Sequence, residues 1–261
     1  MVGRRLVGAI VLALHVLAAG PSTAGAGDGD ANAHDPIEGV NRGVFRFNDT
    51  LDRWAFEPVA RGWHWAIPDP AEQSIEHFFG NLRFPVVLAN NLLQGKVEGG
   101  AVTLGRFLVN STVGIGGLFD PASDLGLASH PEDFGQTLGW WGTPPGPYLM
   151  LPLLGPSSVR DTGGLVVDYC LSVVPFVVSG WATVGAGIVR SVNGRAQILD
   201  EVESAREAAL DYYVFVRDAY TQHRHALVHD ELGDDEAPPE DDLYDAFWPA
   251  DEGGGDDDAV E

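Results

Sequence analysis

Residues 134–159 read FGQTLGWWGTPPGPYLMLPLLGPSSV, 26 positions without one acidic or basic side chain. The stretch contains five Gly and five Pro, together with Trp140, Trp141 and Tyr148. So many helix breakers exclude a regular membrane-spanning helix, which needs about 20 consecutive apolar residues. An ordinary surface loop would carry charges. Irregular backbone at membrane depth is tolerated where protein or water satisfies its polar groups. The stretch therefore favours a buried or lipid-facing structure in a lipid-handling protein.

Two further tracts are almost free of charge. Val97–Phe119 holds only Glu98 and Arg106 as ionisable groups, and Tyr169–Val189 has no charged side chain in 21 residues. The second tract is interrupted by Pro175, Gly180, Gly185 and Gly187. Because such residues break or loosen a helix, we expect hairpin or in-plane helices instead of one straight crossing. The alternative is the large core of a water-soluble enzyme.

Other parts of the chain carry motifs of helix N-termini and apolar residues at helical spacing. Asp35-Pro36-Ile37-Glu38 and Asp69-Pro70-Ala71-Glu72 both follow the pattern of a helix N-terminus. Behind the first motif, apolar residues recur at spacings of three and four: Ile37, Val40, Val44, Phe47, Leu51 and Trp54. Sustained strand alternation is hard to find. The sequence predicts an all-α bundle of amphipathic helices with an irregular Gly/Pro-rich segment.

The acidic charge is concentrated at the C-terminal end. The formal net charge is −23, and residues 230–261 hold 15 acidic and no basic side chains. A self-repelling segment with few aliphatic residues is typical of disorder, so we expect a solubilising tail there. Docking of Leu243–Trp248 onto a basic surface is the alternative. No basic cluster stands out elsewhere, which argues against nucleic acid as a partner.

The N-terminal residues resemble an export signal. Arg4 and Arg5 precede the apolar run Leu6–Ala19, and small residues follow. We therefore expect a signal peptide over 1–26 and a linker over 27–34, with the mature protein beyond the inner membrane of a bacterium. The sole cysteine, Cys170, excludes an intramolecular disulfide, and we expect it to be a small buried apolar residue.

Several blocks of the chain, in order, resemble the MlaA (VacJ) family of the Gram-negative outer membrane. The most recognisable block is EDFGQTLGWWGTPPGPYLMLPLLGPSSVRDTGG, residues 132–164. The other matching blocks are Asp35–Pro68, Phe78–Gly95, Arg106–Ser123 and Asn193–Arg224. Together they cover about residues 35–229, which we take as one lipid-transport domain.

The resemblance implies a specific function. Members of the family are all-α, ring-like proteins embedded mainly in the inner leaflet of the outer membrane, where they surround an amphipathic channel and associate with trimeric porins. They remove misplaced phospholipids from the outer leaflet and pass them to a soluble periplasmic carrier, which maintains lipid asymmetry. The resemblance thus implies a periplasm-facing outer-membrane protein that is not an enzyme and needs no cofactor.

The family is typically lipidated at a cysteine that becomes the mature N-terminus. No cysteine precedes Cys170 here, so the sequence offers no lipobox cysteine. Two explanations stay open: the chain starts elsewhere than at Met1, or this member relies on embedded helices and porin contacts.

Candidate channel residues follow from the matched blocks. Arg106 and Arg160 lie within uncharged tracts and offer a planar fork of donors to a lipid phosphate. The alternative is that each pairs with a nearby acid, such as Glu98 or Asp161.

Other candidates lie in the early helix, the Gly/Pro-rich segment and the later uncharged tract. They are Phe47 and Asn48 for control of the channel, Trp140, Trp141, Tyr148 and Leu151 for its wall or cap, and Gly180 and Gly185 for a flexible gate. Each has a structural alternative: Phe47 as plain core, the Gly/Pro segment as a rigid wall, and the glycines as points of close helix packing.

Enzyme motifs are missing from the sequence. No G-x-S-x-G surrounds Ser157 or Ser158, and no complete P-loop is present. His225 and His229 could ligate a metal beside Asp230, but cations at a helix C-terminus are the favoured interpretation. We predict no catalytic residue and no metal site. The alternative to a lipid conduit is a soluble periplasmic lipid carrier or a lipid hydrolase.

Overall fold

The computed structural model describes residues 35–231. The predicted signal peptide, the linker and the acidic tail beyond Glu231 lie outside the described residues. The helices are α1 (Glu38–Leu51), α2 (Glu57–Ala66), α3 (Asp69–Leu82), α4 (Phe84–Leu93), α5 (Val97–Thr112), α6 (Pro121–Asp124), α7 (Phe134–Trp140), α8 (Val159–Leu171), α9 (Val174–Val177), α10 (Gly180–Gln197), α11 (Leu199–Ala208) and α12 (Tyr212–Val228). Two strands, β1 (Tyr148–Leu151) and β2 (Gly155–Ser158), form a hairpin. The prediction of a mostly helical protein is confirmed.

The first two helices are joined by a π-helical turn, Asp52–Phe56. Pro58, which has no N–H to donate, lies directly after this turn in the first turn of α2. Acids on this helical run converge on Arg206 of α11. Arg206 Nη2 lies 3.1 Å from Asp49 Oδ1 and 2.6 Å from Asp52 Oδ2, while Nη1 lies 2.9 Å from Glu57 Oε2. The run α1–α2 is thereby fixed to the C-terminal helices.

The Gly/Pro-rich segment is more ordered than the sequence suggests. It begins with α7 and ends in the antiparallel hairpin, in which Tyr148 faces Ser158 and Leu151 faces Gly155. Irregular backbone is confined to residues 141–147 and to the hairpin loop. The strands escape prediction because each is four residues long and Pro flanks or interrupts them.

Side-chain amides of α1 hold the hairpin. Asn41 Nδ2 donates to Tyr148 O over 3.0 Å, and Met150 N donates to Asn41 Oδ1 over 2.9 Å. Asn48 repeats the arrangement two helical turns later. On its other face, the hairpin meets a small aromatic core built from Tyr148, Met150, Tyr213, Val216 and Tyr220.

The polarity of the fold is inverted for a protein in water. The largest fully buried side chains are polar: Asn41, Asn90, Asn91 and Thr137. Large apolar side chains are exposed instead, among them Trp54 (82%), Trp65 (89%) and Trp181 (88%). Part of the apolar stripe of α1 points outward as well, whereas Val44 packs against the aromatic core. The interpretation of Phe47 as core is wrong, because its exposed fraction is 54%. Apolar faces turned outward and amide faces turned inward are opposite to ordinary surface helices.

Within residues 35–231, no helix combines the length and apolar character that crossing a bilayer requires. The uncharged tract of 169–189 is divided among the end of α8, the short α9 and the start of α10, as the sequence predicts for hairpin or in-plane helices.

Candidate functional site

Three half-open cavities are linked through shared wall residues. The central cavity, of about 420 Å³, is lined by α4, α7, the hairpin, α8, α10 and α12. The α5 cavity, of about 320 Å³, lies between α3, α4 and α5 and shares Pro131 and Arg190 with the central cavity. The hairpin cavity, of about 340 Å³, lies between α1, the hairpin and α11 and shares Leu154 and Pro156 with the central cavity. Helix α10 contributes to the walls of all three.

The wall of the central cavity is amphipathic. Its charged residues are Arg83, Asp133, Asp161, Asp168, Arg190 and Arg224, and its apolar residues include Val86, Leu154, Leu165 and Leu227. Arginine and aliphatic side chains side by side suit a ligand with an anionic group and a hydrocarbon portion.

A buried ion cluster forms one side of this wall. Arg224 Nη1 lies 2.6 Å from Asp133 Oδ2, and Arg224 Nη2 lies 3.0 Å from Asp161 Oδ1. Burial opposes ionisation of both acids, but the Arg224 guanidinium outweighs it and holds the pKa of Asp133 well below its usual range. The pKa of Asp161 is lowered as well, because Arg160 and Tyr220 also hydrogen-bond to its carboxylate. The cluster joins α7, α8 and α12.

Asp168 behaves differently from these acids. Burial, assisted by the charge of Asp133, raises the pKa of Asp168 to about 6. Its Oδ1 accepts hydrogen bonds from Asn90 Nδ2 at 3.0 Å and from Phe134 N at 3.1 Å. The carboxyl of Asp168 therefore titrates near neutral pH at the cavity wall. Burial also lowers the pKa of His223 to about 4, so that this wall residue is neutral at pH 7.

Both predicted phosphate-binding arginines pair with acids. Arg160 Nε lies 2.9 Å from Asp161 Oδ1, one of the partners that the sequence suggested. Arg106 lines the α5 cavity, and its partner is Asp120 (Nη2 to Oδ2, 2.7 Å) instead of Glu98. A lipid phosphate would have to share these guanidinium groups with their carboxylates.

Of the early-helix and hairpin candidates, only Asn48 lines the hairpin cavity. Asn48 hydrogen-bonds to the backbone of Leu151 and Leu153. Leu151 is half-buried, and Tyr148 is buried in the aromatic core. Phe47 points to the outer surface. The structure thus brings Asn48, Leu151 and Tyr148 together and separates them from Phe47.

The candidate tryptophans Trp140 and Trp141 lie at the outer surface and are about half exposed. Trp141 Nε1 donates to Leu93 O over 3.1 Å, and the Lys96 ammonium lies 5.0 Å from the centroid of the Trp140 ring. An apolar ring with a polar edge suits the boundary between a membrane and water.

Gly180 and Gly185 lie in the exposed N-terminal half of α10. A Cβ at either position would have no heavy atom within 4 Å beyond its own helix and chain neighbours. The alternative interpretation of close helix packing at these glycines is therefore wrong for this conformation.

The other polar candidates serve the fold. Ser158 caps α8, accepting from Asp161 N, and Ser157 shares a hydrogen bond of 3.0 Å with Thr162. His225 and His229 stack on each other with Glu231 nearby, whereas Asp230 pairs with Lys96 over 2.5 Å. Cys170 is half-buried.

Sequence reasoning missed the partners that make the central cavity. Asp133 and Arg224 are 91 residues apart, and Asn90 and Asp168 are 78 residues apart, so no local spacing links them. The available signal was a charged residue at the end of an uncharged tract, which marks Asp133 and Asp168.

A family model described as "MlaA lipoprotein" matches residues 33–227, most of the chain. The chain belongs to the MlaA lipoprotein family. The predicted resemblance is confirmed, and the region matched by the family model contains every element from α1 to the last turn of α12.

Relatives in the MlaA family carry a functional name. The proteins of Shigella flexneri and Escherichia coli K12 called "Intermembrane phospholipid transport system lipoprotein MlaA" are each 37% identical over 213 residues, covering 78% of this chain and 82% of the relative. A solved chain described as "Structural basis for maintenance of bacterial outer membrane lipid asymmetry" is 36% identical with a TM-score of 0.67, covering 74% of this chain and 98% of that one. The chain therefore shares both sequence and fold with MlaA proteins.

Proposed function

We propose that this chain transports phospholipids and so maintains outer-membrane lipid asymmetry, taking misplaced phospholipids from the outer leaflet through its own interior. The observation that carries the proposal is the inverted polarity: amides and ion pairs lie inside around adjoining amphipathic cavities, and apolar side chains lie outside. The names of the MlaA relatives support the same function. A phospholipid needs a polar route for its headgroup and apolar surface for its tails.

The exposed apolar side chains support a position within one leaflet. Exposed apolar area of this extent marks a membrane or protein contact. Trp140, Trp141 and Trp181 are suited to anchoring the rim of the protein at the headgroup level. Together with the family resemblance, this favours a position in the inner leaflet of the outer membrane, facing the periplasm, with the helices forming a ring around the cavities.

The same proposal assigns roles to the candidate channel residues. Arg106 and Arg160 attract the phosphate while exchanging partners with Asp120 and Asp161. Asn48 holds the hairpin beside the hairpin cavity, and release of Leu151 from Asn48 opens that end. Gly180 and Gly185 let the start of α10 bend, since nothing packs against them.

Partners follow from the family resemblance. A trimeric porin would cover part of the apolar exterior, and a soluble periplasmic carrier would receive the lipid. The chain makes and breaks no bond in this process, so we assign no catalytic residue and no cofactor to transport. A soluble periplasmic lipid carrier and a lipid hydrolase are the competing functions.

Site-specific photocrosslinking in cells tests the proposal. A photoreactive residue at Leu154, which lines both the central and the hairpin cavities, should crosslink to phospholipid in the outer-membrane fraction. The same residue at Leu210, which is fully exposed between α11 and α12, is the matched control. Crosslinking from Leu154 and not from Leu210, together with co-purification of porin, is the expected result.

Two results would overturn it. Recovery in the soluble periplasm with stoichiometric lipid and without porin would establish a soluble carrier. Release of fatty acid from phospholipid, lost on Ser157→Ala or Ser158→Ala, would establish a hydrolase.

A further inference from the structure

Three potential metal ligands meet where α2 passes into α3. His64 lies in the last turn of α2, and Asp69 and Glu72 lie in the first turn of α3. One ligand atom from each residue lies within 4.8 Å of the other two. The two helices are joined only by Ile67 and Pro68, so the three side chains belong to one tight corner of the chain.

Glu72 is an unusual carboxylate. Glu72 is 3% exposed, and its Oε1 atom has no hydrogen-bond partner among residues 35–231. Its other oxygen, Oε2, lies 3.3 Å from His64 Nδ1. A buried carboxylate oxygen without a partner is costly, and buried charges are normally paired or coordinate metals.

The corner is braced by α10. Asn193 accepts a hydrogen bond from Trp63 Nε1 over 3.1 Å and donates from Nδ2 to Glu72 O over 3.1 Å. One buried amide therefore fixes the residue before His64 and the backbone of Glu72 together. Ligands held by packed elements lose little conformational freedom on binding a metal.

From this juxtaposition we propose that His64, Asp69 and Glu72 bind a divalent transition-metal ion, with Zn²⁺ as the best fit. Imidazole nitrogen and carboxylate oxygens are ordinary ligands of Zn²⁺ at about 2.0–2.2 Å. Two ligands of a tetrahedral ion at those distances lie roughly 3.4 Å apart. The 3.3 Å separation of His64 Nδ1 and Glu72 Oε2 matches that value. Water would fill the remaining position.

The bound ion cross-links the end of α2 to the start of α3. Its positive charge compensates the buried carboxylate of Glu72, one oxygen of which has no hydrogen-bond partner among the described residues. The site is independent of lipid transport, since none of its three ligands lines the central, α5 or hairpin cavity.

The test is metal binding by the full chain in mild detergent, after treatment with a chelator and dialysis. Zn²⁺ should bind at one site by calorimetry and raise the thermal midpoint by roughly 5–10 °C at about 100-fold excess over Kd. His64→Ala and Asp69→Asn change exposed residues, and the circular dichroism spectrum of each metal-free variant is expected to match that of the native chain. Each should weaken binding by more than the roughly 10- to 100-fold that loss of an outer-sphere partner costs.

A second cluster provides the matched control. His225, His229 and Glu231 also converge, but all three are exposed, and His229 Nδ1 already lies 2.8 Å from His225 O. The variant His225→Ala/His229→Ala should keep the tight site. Zn²⁺ binding that survives His64→Ala, or that disappears in the His225→Ala/His229→Ala variant, would overturn the assignment. Failure of the native chain to bind Zn²⁺ would overturn it as well.

Discussion

Asn48 and Leu151 are joined across 103 residues by a hydrogen bond of 2.9 Å from the side-chain amide to the backbone carbonyl. The same side chain accepts a hydrogen bond from Leu153 N, also at 2.9 Å. One asparagine thus completes the hydrogen bonding of β1 as a neighbouring strand would. Asn41 does the same at Tyr148 and Met150, so α1 presents two amides at the spacing of two helical turns.

The first prediction concerns this contact. Asn48→Leu should free the hairpin loop, because Leu151 O and Leu153 N lose their partner at a cost of about 1–3 kcal/mol in unfolding free energy. Hydrogen exchange in residues 148–158 should become faster. Thr50→Ala is the control, since the Thr50 hydroxyl bonds only to Arg46 O of its own helix. Equal rates of hydrogen exchange in the two variants would contradict the proposed stabilisation of the hairpin by Asn48.

A second prediction addresses the buried ion cluster. Arg224→Met should reduce the free energy of unfolding by about 3–5 kcal/mol, because buried Asp133 loses its ion-pair partner, whereas Asp161 keeps Arg160. Arg53→Met removes an exposed ion pair with Asp49 and should cost about 0–1 kcal/mol. Denaturation of both variants in detergent gives the comparison, and similar losses would show that the cluster is not stabilising.

Asp168 predicts a pH dependence. Its folded-state pKa of about 6 lies above the usual value of 3.8, so the folded state binds more protons and becomes less stable as pH rises from about 4 to 6. Asp168→Asn keeps an acceptor for Phe134 N and removes this penalty. The difference in unfolding free energy between the variant and the native chain should grow in favour of the variant by on the order of 1–3 kcal/mol from pH 4 to pH 7. Thermal midpoints at both pH values measure the gain, with exposed Asp124→Asn as control. A gain that does not change with pH would contradict the prediction.

The outward apolar surface gives a fourth prediction. Trp181→Asp and Val173→Asp place a charge on exposed side chains and should shift the protein from the membrane to the soluble or aggregated fraction. Leu210→Asp, beside Asp211, should leave fractionation unchanged. A charge at half-buried Leu151 would disturb the hairpin itself and is a poorer probe. Unchanged membrane recovery of Trp181→Asp and Val173→Asp would argue against lipid contact at these tracts.

Periodicity identified the helices but not the direction in which their faces point. The stripe through Val40 and Phe47 has helical spacing whether it faces a core or a lipid, and only the surroundings decide which. Buried asparagines beside the stripe, such as Asn41, are informative only once the contacts with the hairpin are known. The hairpin was missed because its strands are short and because side chains of a helix, not a third strand, bond to the free edge of β1.

Individual residues of the site could be predicted from the sequence, but not which residues pair with one another. The uncharged tracts marked Arg106, which lines the α5 cavity, and Arg160, which pairs with Asp161 of the central-cavity wall. Long-range pairs such as Asp133 with Arg224 depend on how α7 and α12 pack, which no local pattern encodes.

The π-helical turn at Asp52–Phe56 accommodates one extra residue in a continuous helical run, so this part of the chain can lose one residue without turning its acids away from Arg206. An α-helix advances about 100° per residue, so an unbroken helix would carry Glu57 about 80° around the axis from Asp49. The wider turn reduces this 80° rotation, and Glu57 meets Arg206 together with Asp49 and Asp52. Loss of a single codon within 53–56 would leave seven steps from Asp49 to Glu57, and an ordinary α-helix would then place the two residues about 20° apart. Such a deletion would remove the π-helical turn and none of the residues that contact Arg206, and the acids would still face Arg206 together.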